Sequence, residues 1–254
     1  MQIATLALMI PLLGTMLGAA FVFFLKKNLS EYTQKTLMGF ASGVMVAASV
    51  WSLLNPAIEM REGAAITPVV VGLLIGFLFL LIIDDITPHL HKSGEEGPHT
   101  KLSRTTKLTL AVTIHNLPEG MAVGIAIAEM LNESAVMTPT AVIALSVGIA
   151  IQNIPEGAII STPLLSAGNS RLKSFVIGCL SGVVEPIGGV LIILLASHMI
   201  PLMPLLLSFA AGAMLYVVVE ELIPEASQGK HSNLSTIGFA IGFTMMMTLD
   251  VVLG

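Results

Sequence analysis

Read for hydrophobicity alone, the chain is eight long apolar runs separated by short polar connections. Windows of about twenty residues, the length that crosses a hydrocarbon core, fall at roughly 2–25, 35–55, 67–87, 105–129, 138–162, 172–197, 202–224 and 232–253. The pattern predicts an all-α polytopic membrane protein with eight transmembrane helices, built as a single transmembrane domain over residues 1–254. Met1 leads straight into the first run with no basic segment before it, which predicts a retained helix rather than a cleaved leader.

Composition agrees with a lipid solvent: 55% of residues are hydrophobic, 11% are charged, and the mean hydropathy is +0.92. The net charge of -5 argues against a nucleic-acid partner, and the single cysteine, Cys179, excludes a disulfide framework or a thiolate metal cluster within one chain. Lysine and arginine gather in alternate connections: Lys26, Lys27 and Lys35; Lys92, Lys101, Arg104 and Lys107; Arg171 and Lys173; Lys230. Only Arg61 falls on the other side. The positive-inside bias then puts those connections in the cytoplasm and both termini outside, as expected of a multi-pass protein of the cell (inner) membrane.

The runs repeat one another. In the third, GLLIGFLFLLIID (72–84) matches GFAIGFTMMMTLD (238–250) of the eighth; FASGVM (40–45) of the second matches FAAGAM (209–214) of the seventh; and a PxxG at Pro11–Gly14 of the first returns at Pro186–Gly189 of the sixth. Five runs separate each from its copy, so each copy crosses in the opposite direction. Such inverted repeats of helices 1–3 and 6–8 around helices 4–5 are typical of secondary transporters, with the substrate near the midplane.

The fourth and fifth runs carry HNLPEG (115–120) and QNIPEG (152–157), each placing a carboxylate and a proline where a lipid-buried helix should want neither. His115, Glu119, Gln152 and Glu156 fall near the bilayer centre, and Glu185, followed by Pro186, sits at similar depth in the sixth run. A charged side chain at that depth costs about 3 kcal/mol unless it faces protein, water or a cation. Pro118 and Pro155 donate nothing to the carbonyls of Ile114 and Ile151, freeing those oxygens. At 100° per residue Glu119 lies about 40° round from His115 and Asn116 about 100°, so Glu119 can share one ligand set with His115 and another with Asn116. Glu156 has the same relation to Gln152 and Asn153. Two carboxylates that each bridge two faces suit two adjacent metal ions, and one imidazole among carboxylates and amides suits Zn²⁺, Fe²⁺ or Mn²⁺ better than Ca²⁺ or Cu⁺.

HNxPEG in the fourth run, xNxPEG in the fifth, Glu-Pro in the sixth and ELIPEA (221–226) in the seventh resemble the ZIP (Zrt-, Irt-like Protein) divalent-metal transporters, with the glutamine of the fifth run pointing to the GufA-like prokaryotic branch. The resemblance covers essentially the whole chain. It implies an eight-helix bundle, usually a homodimer in the lipid bilayer, that carries divalent metal ions, Zn²⁺ first with Fe²⁺, Mn²⁺ or Cd²⁺ as further candidates, toward the cytoplasm as transported substrate, with no catalytic cofactor. Carried over residue by residue, one metal site uses His115, Glu119, Gln152 and Glu156, with Met45 approaching from the second run; the other uses Asn116, Glu119, Asn153, Glu156 and Glu185. Alternating access would move helices 1, 4, 5 and 6 against a scaffold of 2, 3, 7 and 8, and its elevator character is implied by the resemblance alone. Gln152 stands where many relatives have histidine, so the first site is expected to bind soft or borderline ions less tightly; Asn153 stands where some have aspartate, so the second ion is expected to be held weakly or transiently.

Other polar residues carry two readings. Asp84, Asp85, Glu220 and Glu221 toward one side, and Glu59 and Asp250 toward the other, are either stations for a passing cation or carboxylates reaching interfacial water. The third connection, spanning roughly 88–104 with His89, His91 and His99, resembles a metal-collecting loop and is expected to be flexible. His198 and His231 are expected at the interface, and Met245–Met247 as packing. Two rival functions use the same carboxylates, a proton- or sodium-coupled cation antiporter and an intramembrane metalloenzyme; the chain has no HExxH and no nucleophile paired with a base, so an enzyme is not expected. If Gln152 is a ligand, Gln152→His tightens Zn²⁺ relative to Mn²⁺ in competition binding, because nitrogen favours the later metal; equal shifts for both ions count against it.

Overall fold

A computed structural model describes residues 2–25, 29–60, 65–91, 94–96, 101–132, 135–196, 200–229 and 232–253. Eight helices are long and apolar enough to cross a membrane: Gln2–Phe23, Glu31–Glu59, Thr67–Ile86, Thr105–Met130, Pro139–Ser166, Arg171–Leu195, Met203–Ser227 and Leu234–Leu253, named the first to eighth spans. They follow the predicted runs within a few residues at most ends.

Local chemistry sets those ends. Ser30, Ser103, Thr138 and Ser170 cap the second, fourth, fifth and sixth spans, their hydroxyls accepting from the amides of Thr33, Thr106, Ala141 and Lys173 at 3.0–3.2 Å. Pro68, Pro139 and Pro204 occupy first-turn positions that need no donor. Gly168, at φ +91°, turns the chain after the fifth span. Two spans contain π-helical segments, Ser49–Leu54 in the second and Val218–Leu222 in the seventh. Each begins four residues after the repeated methionine, Met45 or Met214, so the inverted repeat extends to the backbone irregularity itself. The sixth span, expected to be continuous, is interrupted at the single residue Val183, between Arg171–Gly182 and Val184–Ala196.

The repeated glycines are where helices meet. A Cβ on Gly72 or Gly76 of the third span would strike the carbonyls of Leu205 and Phe209 in the seventh; one on Gly238 or Gly242 of the eighth would strike those of Thr36 and Phe40 in the second. Gly14 of the first span lies against Ala150 of the fifth, and Gly120 of the fourth against Glu185 of the sixth, again at backbone contact. Small residues of this kind let membrane helices approach closely. The four pairs are therefore first with fifth, fourth with sixth, second with eighth, and third with seventh. Gly148 of the fifth span differs: its nearest neighbours are the Sδ and Cε of Met246 in the eighth, a side chain rather than a backbone.

The third connection departs from the expected flexible loop. His89–His91 and Gly94–Glu96 pair as short antiparallel strands, His89 opposite Glu96, because the connection is long enough to turn back and satisfy its own backbone. His99, His198 and His231, and the basic residues Lys26, Lys27, Arg61, Lys92 and Lys230, lie outside the described residues. Within the methionine triplet only Met246 is fully buried, in keeping with packing.

The two kinds of glycine contact predict different tolerance. Gly14→Ala forces a Cβ into the Ala150 backbone and should destabilise the protein by about 1–3 kcal/mol, whereas Gly148→Ala meets only the end of Met246 and should cost less. Thermal unfolding of the two variants in detergent checks the order; equal loss, or a costlier Gly148→Ala, would contradict the packing described.

Candidate metal centre

The fourth and fifth helices run through Pro118 and Pro155 without breaking, so the motif side chains keep helical spacing while the two prolines leave carbonyls without their usual donors. His115, Asn116, Glu119, Gln152, Asn153, Glu156 and Glu185 are all buried, with Glu119 0% and Glu185 1% exposed. Met45 is fully buried too, within the apolar core where the second span packs against its neighbours.

The motif residues come together across three spans. Gln152 Nε2 donates to Glu119 Oε1 at 2.6 Å, joining the fourth and fifth spans. The Asn153 amide faces both Glu119 and Glu185. Asn116 Nδ2 donates to the Ser181 carbonyl at 3.1 Å, and Thr15 Oγ1 donates to Glu185 Oε1 at 2.8 Å. His115 points elsewhere: its Nε2 lies 2.9 Å from Oε1 of Glu221 on the seventh span.

Buried hydroxyls nearby show what an ordinary structural polar group does. Ser42, Ser146, Ser161 and Thr162 each donate to a carbonyl four residues back in their own helices. The motif oxygens have no such outlet. Asn116 Oδ1, Glu119 Oε2, Gln152 Oε1, Asn153 Oδ1 and Glu185 Oε2 are buried with no hydrogen-bond partner among the described residues. An unmatched buried polar atom costs about 1–3 kcal/mol, and more when charged. All five are acceptors, carried on three helices around Glu119, and a cation is the partner that satisfies several acceptors at once.

Polar groups flank this centre toward both ends of the bundle. Toward the basic connections, Asp84, His115 and Glu221 bring one ligand atom each to within 4.8 Å of one another, and Tyr216 donates to Asp84 Oδ2 at 3.0 Å. A cavity of about 40 Å³ lies beside them, lined in part by Met38, His115, Glu156, Glu221 and Glu225. Toward the opposite end, Ser52 Oγ donates to Asp250 Oδ1 at 2.6 Å beside a cavity of about 260 Å³ that also borders Asn55, Glu59 and Thr138. The two readings left open for the outlying carboxylates thus divide: Asp84, Asp250 and the mostly covered Glu221 face the interior, while Asp85, Glu220 and Glu59 are exposed.

The chain matches the family model described as ZIP Zinc transporter over residues 1–107 and 102–250. The chain belongs to the ZIP family. Among its relatives, zinc transporter GufA of Myxococcus xanthus is 35% identical over 252 residues, covering 96% of this chain and 96% of that protein. Zinc transporter ZIPB of Bordetella bronchiseptica is 35% identical across 95% of this chain and 78% of its own length. Zinc transporter ZIP11 of Homo sapiens is 34% identical across 94% of each. ZIP proteins of these names are transporters, which sets the metalloenzyme aside.

Three features of this ZIP site were not found from sequence. Thr15 gave no signal, because its counterpart in the repeat, Val190, is apolar. The Ser181 carbonyl, partner of Asn116, lies just before the interruption of the sixth span at Val183, which no motif marks. The grouping of His115 with Asp84 and Glu221 depends on which way the imidazole turns, although both carboxylates stood out individually as polar residues in apolar helices.

Proposed function

We propose that this ZIP protein carries Zn²⁺, and with it Fe²⁺, Mn²⁺ or Cd²⁺, across the membrane to the cytoplasm by alternating access, through a midplane site that accepts two ions. The observation that carries the reading is the set of five buried acceptor oxygens without donors, on Asn116, Glu119, Gln152, Asn153 and Glu185. The first ion is held by His115, Glu119, Gln152 and Glu156 with Met45 alongside; the second by Asn116, Glu119, Asn153, Glu156 and Glu185. The names of the relatives support zinc as the substrate.

The basic connections orient the bundle, placing Asp250 and Ser52 on the outer side and Asp84 and Glu221 on the inner. An ion then passes from the outer cavity to the centre and onward to the Asp84–His115–Glu221 group. His115 serves both of the last two stations: it lies one helical turn from Glu119, yet its Nε2 reaches Glu221 at 2.9 Å. Glycine packing supports a moving unit of the first, fourth, fifth and sixth spans against a scaffold of the second, third, seventh and eighth, since the backbone contacts pair spans within each set and Gly148 meets the scaffold only through the Met246 side chain. The reading includes a homodimer in the inner membrane, for which the third and eighth spans, with 28% and 22% of their windows buried, present the most uncovered apolar surface.

Replacing Glu119 with alanine removes the carboxylate shared by both ion sites, and uptake of ⁶⁵Zn into proteoliposomes should fall to background while the protein still inserts. Near-normal uptake by Glu119→Ala would contradict the site. Proton or sodium exchange by the wild-type protein with no metal present, and no zinc uptake, would favour the antiporter instead.

A further inference from the structure

Thr15 lies in the first span, outside both motifs, and is fully buried. Ser42, Ser146, Ser161 and Thr162 satisfy their hydroxyls on their own helices; Thr15, like Ser52 with Asp250, instead directs its donor to a carboxylate on another span, Oε1 of Glu185, 170 residues away at 2.8 Å. The position is rigid. A Cβ on Gly157 of the fifth span would strike the Thr15 carbonyl, and one on Gly182 of the sixth would lie 2.9 Å from the Thr15 side chain and 3.0 Å from Glu185 Oε1. Three spans therefore close on this residue, Gly157 against its carbonyl and Gly182 against its side chain.

With Oε1 engaged, Glu185 keeps one oxygen, Oε2, buried and without a partner. We propose that Thr15 is a positioning residue for the second metal ion, fixing the Glu185 carboxylate so that it binds through Oε2 alone. A carboxylate so held offers one oxygen rather than a chelating pair, and its direction is set before the ion arrives. Groups that orient a metal ligand in this way typically change affinity by about 10- to 100-fold when removed. A one-oxygen contribution from Glu185, beside Asn153 rather than an aspartate, also makes the second ion easy to release, which a carrier needs. The inference rests on the two-ion reading above.

The test compares Thr15→Val, which keeps the shape and removes the hydroxyl, with Thr15→Ser, which keeps the hydroxyl. Zinc titration calorimetry of the full-length protein in detergent reads both against Glu185→Gln, with thermal unfolding confirming that each variant is folded. Thr15→Val should weaken the ion that Glu185→Gln also weakens, by about 10- to 100-fold, leaving the His115–Glu119–Glu156 ion unchanged, and Thr15→Ser should restore it. Two ions bound by Thr15→Val with wild-type affinity would overturn the proposal, and so would a Thr15→Ser as defective as Thr15→Val, which would mean a packing role. A wild-type protein that binds a single ion, indifferent to Glu185→Gln, would overturn the two-ion reading itself and the proposal with it.

Discussion

Carboxylates sealed inside a hydrocarbon-facing bundle set the terms for the rest of the molecule. Glu119, Glu156 and Glu185 are buried where an ionised group is expensive; Gln152 donates to Glu119, while the amide of Asn153, and the oxygens of both amides, are buried without a partner among the described residues. The result is a concentration of acceptors with too few donors. Several buried hydroxyls elsewhere in the bundle, by contrast, are matched within their own helices. Under the proposed function the cargo supplies the missing positive charge at these oxygens.

Two kinds of glycine contact surround the centre. Backbone-to-backbone contacts at glycine tie the first span to the fifth and the fourth to the sixth, so the helices that carry the acceptors keep their mutual geometry. Other glycines tie the second span to the eighth and the third to the seventh. The contact of Gly148 with Met246 crosses between these sets through a flexible thioether rather than main chain, which is what the proposed movement requires. The π-helical segments at repeat-equivalent places put Ser52 beside Asp250 at one end and Glu221 beside His115 at the other, so one structural device, inverted, furnishes both approaches.

Much of this was legible in the sequence because membrane helices are written in long apolar runs and because the repeat shares its glycines, GxxIGF and FAxGxM, at the points of contact. The motif residues were legible as costs: a glutamate and a proline inside an apolar helix demand a reason. Thr15 was not, since a threonine in a membrane helix can always satisfy itself locally, and only the packing of Gly157 and Gly182 around it reveals that it reaches Glu185. Nor could spacing tell that His115 faces Glu221, because one turn of helix places it near Glu119 and the choice belongs to the side-chain rotamer. The pairing of His89–His91 with Gly94–Glu96 escaped because glycine and charge in a polar connection read the same whether or not the strands pair.

The central claim is that the unmatched oxygens are metal ligands. Anomalous scattering from crystals of the full-length protein grown with Zn²⁺ tests it most directly. The account predicts density in the centre of the bundle, at about 2.0–2.2 Å from oxygens of Glu119 and Gln152. Density confined to the outer Ser52–Asp250 cavity or the surface, with the Glu119 and Gln152 oxygens turned to protein donors, would contradict it.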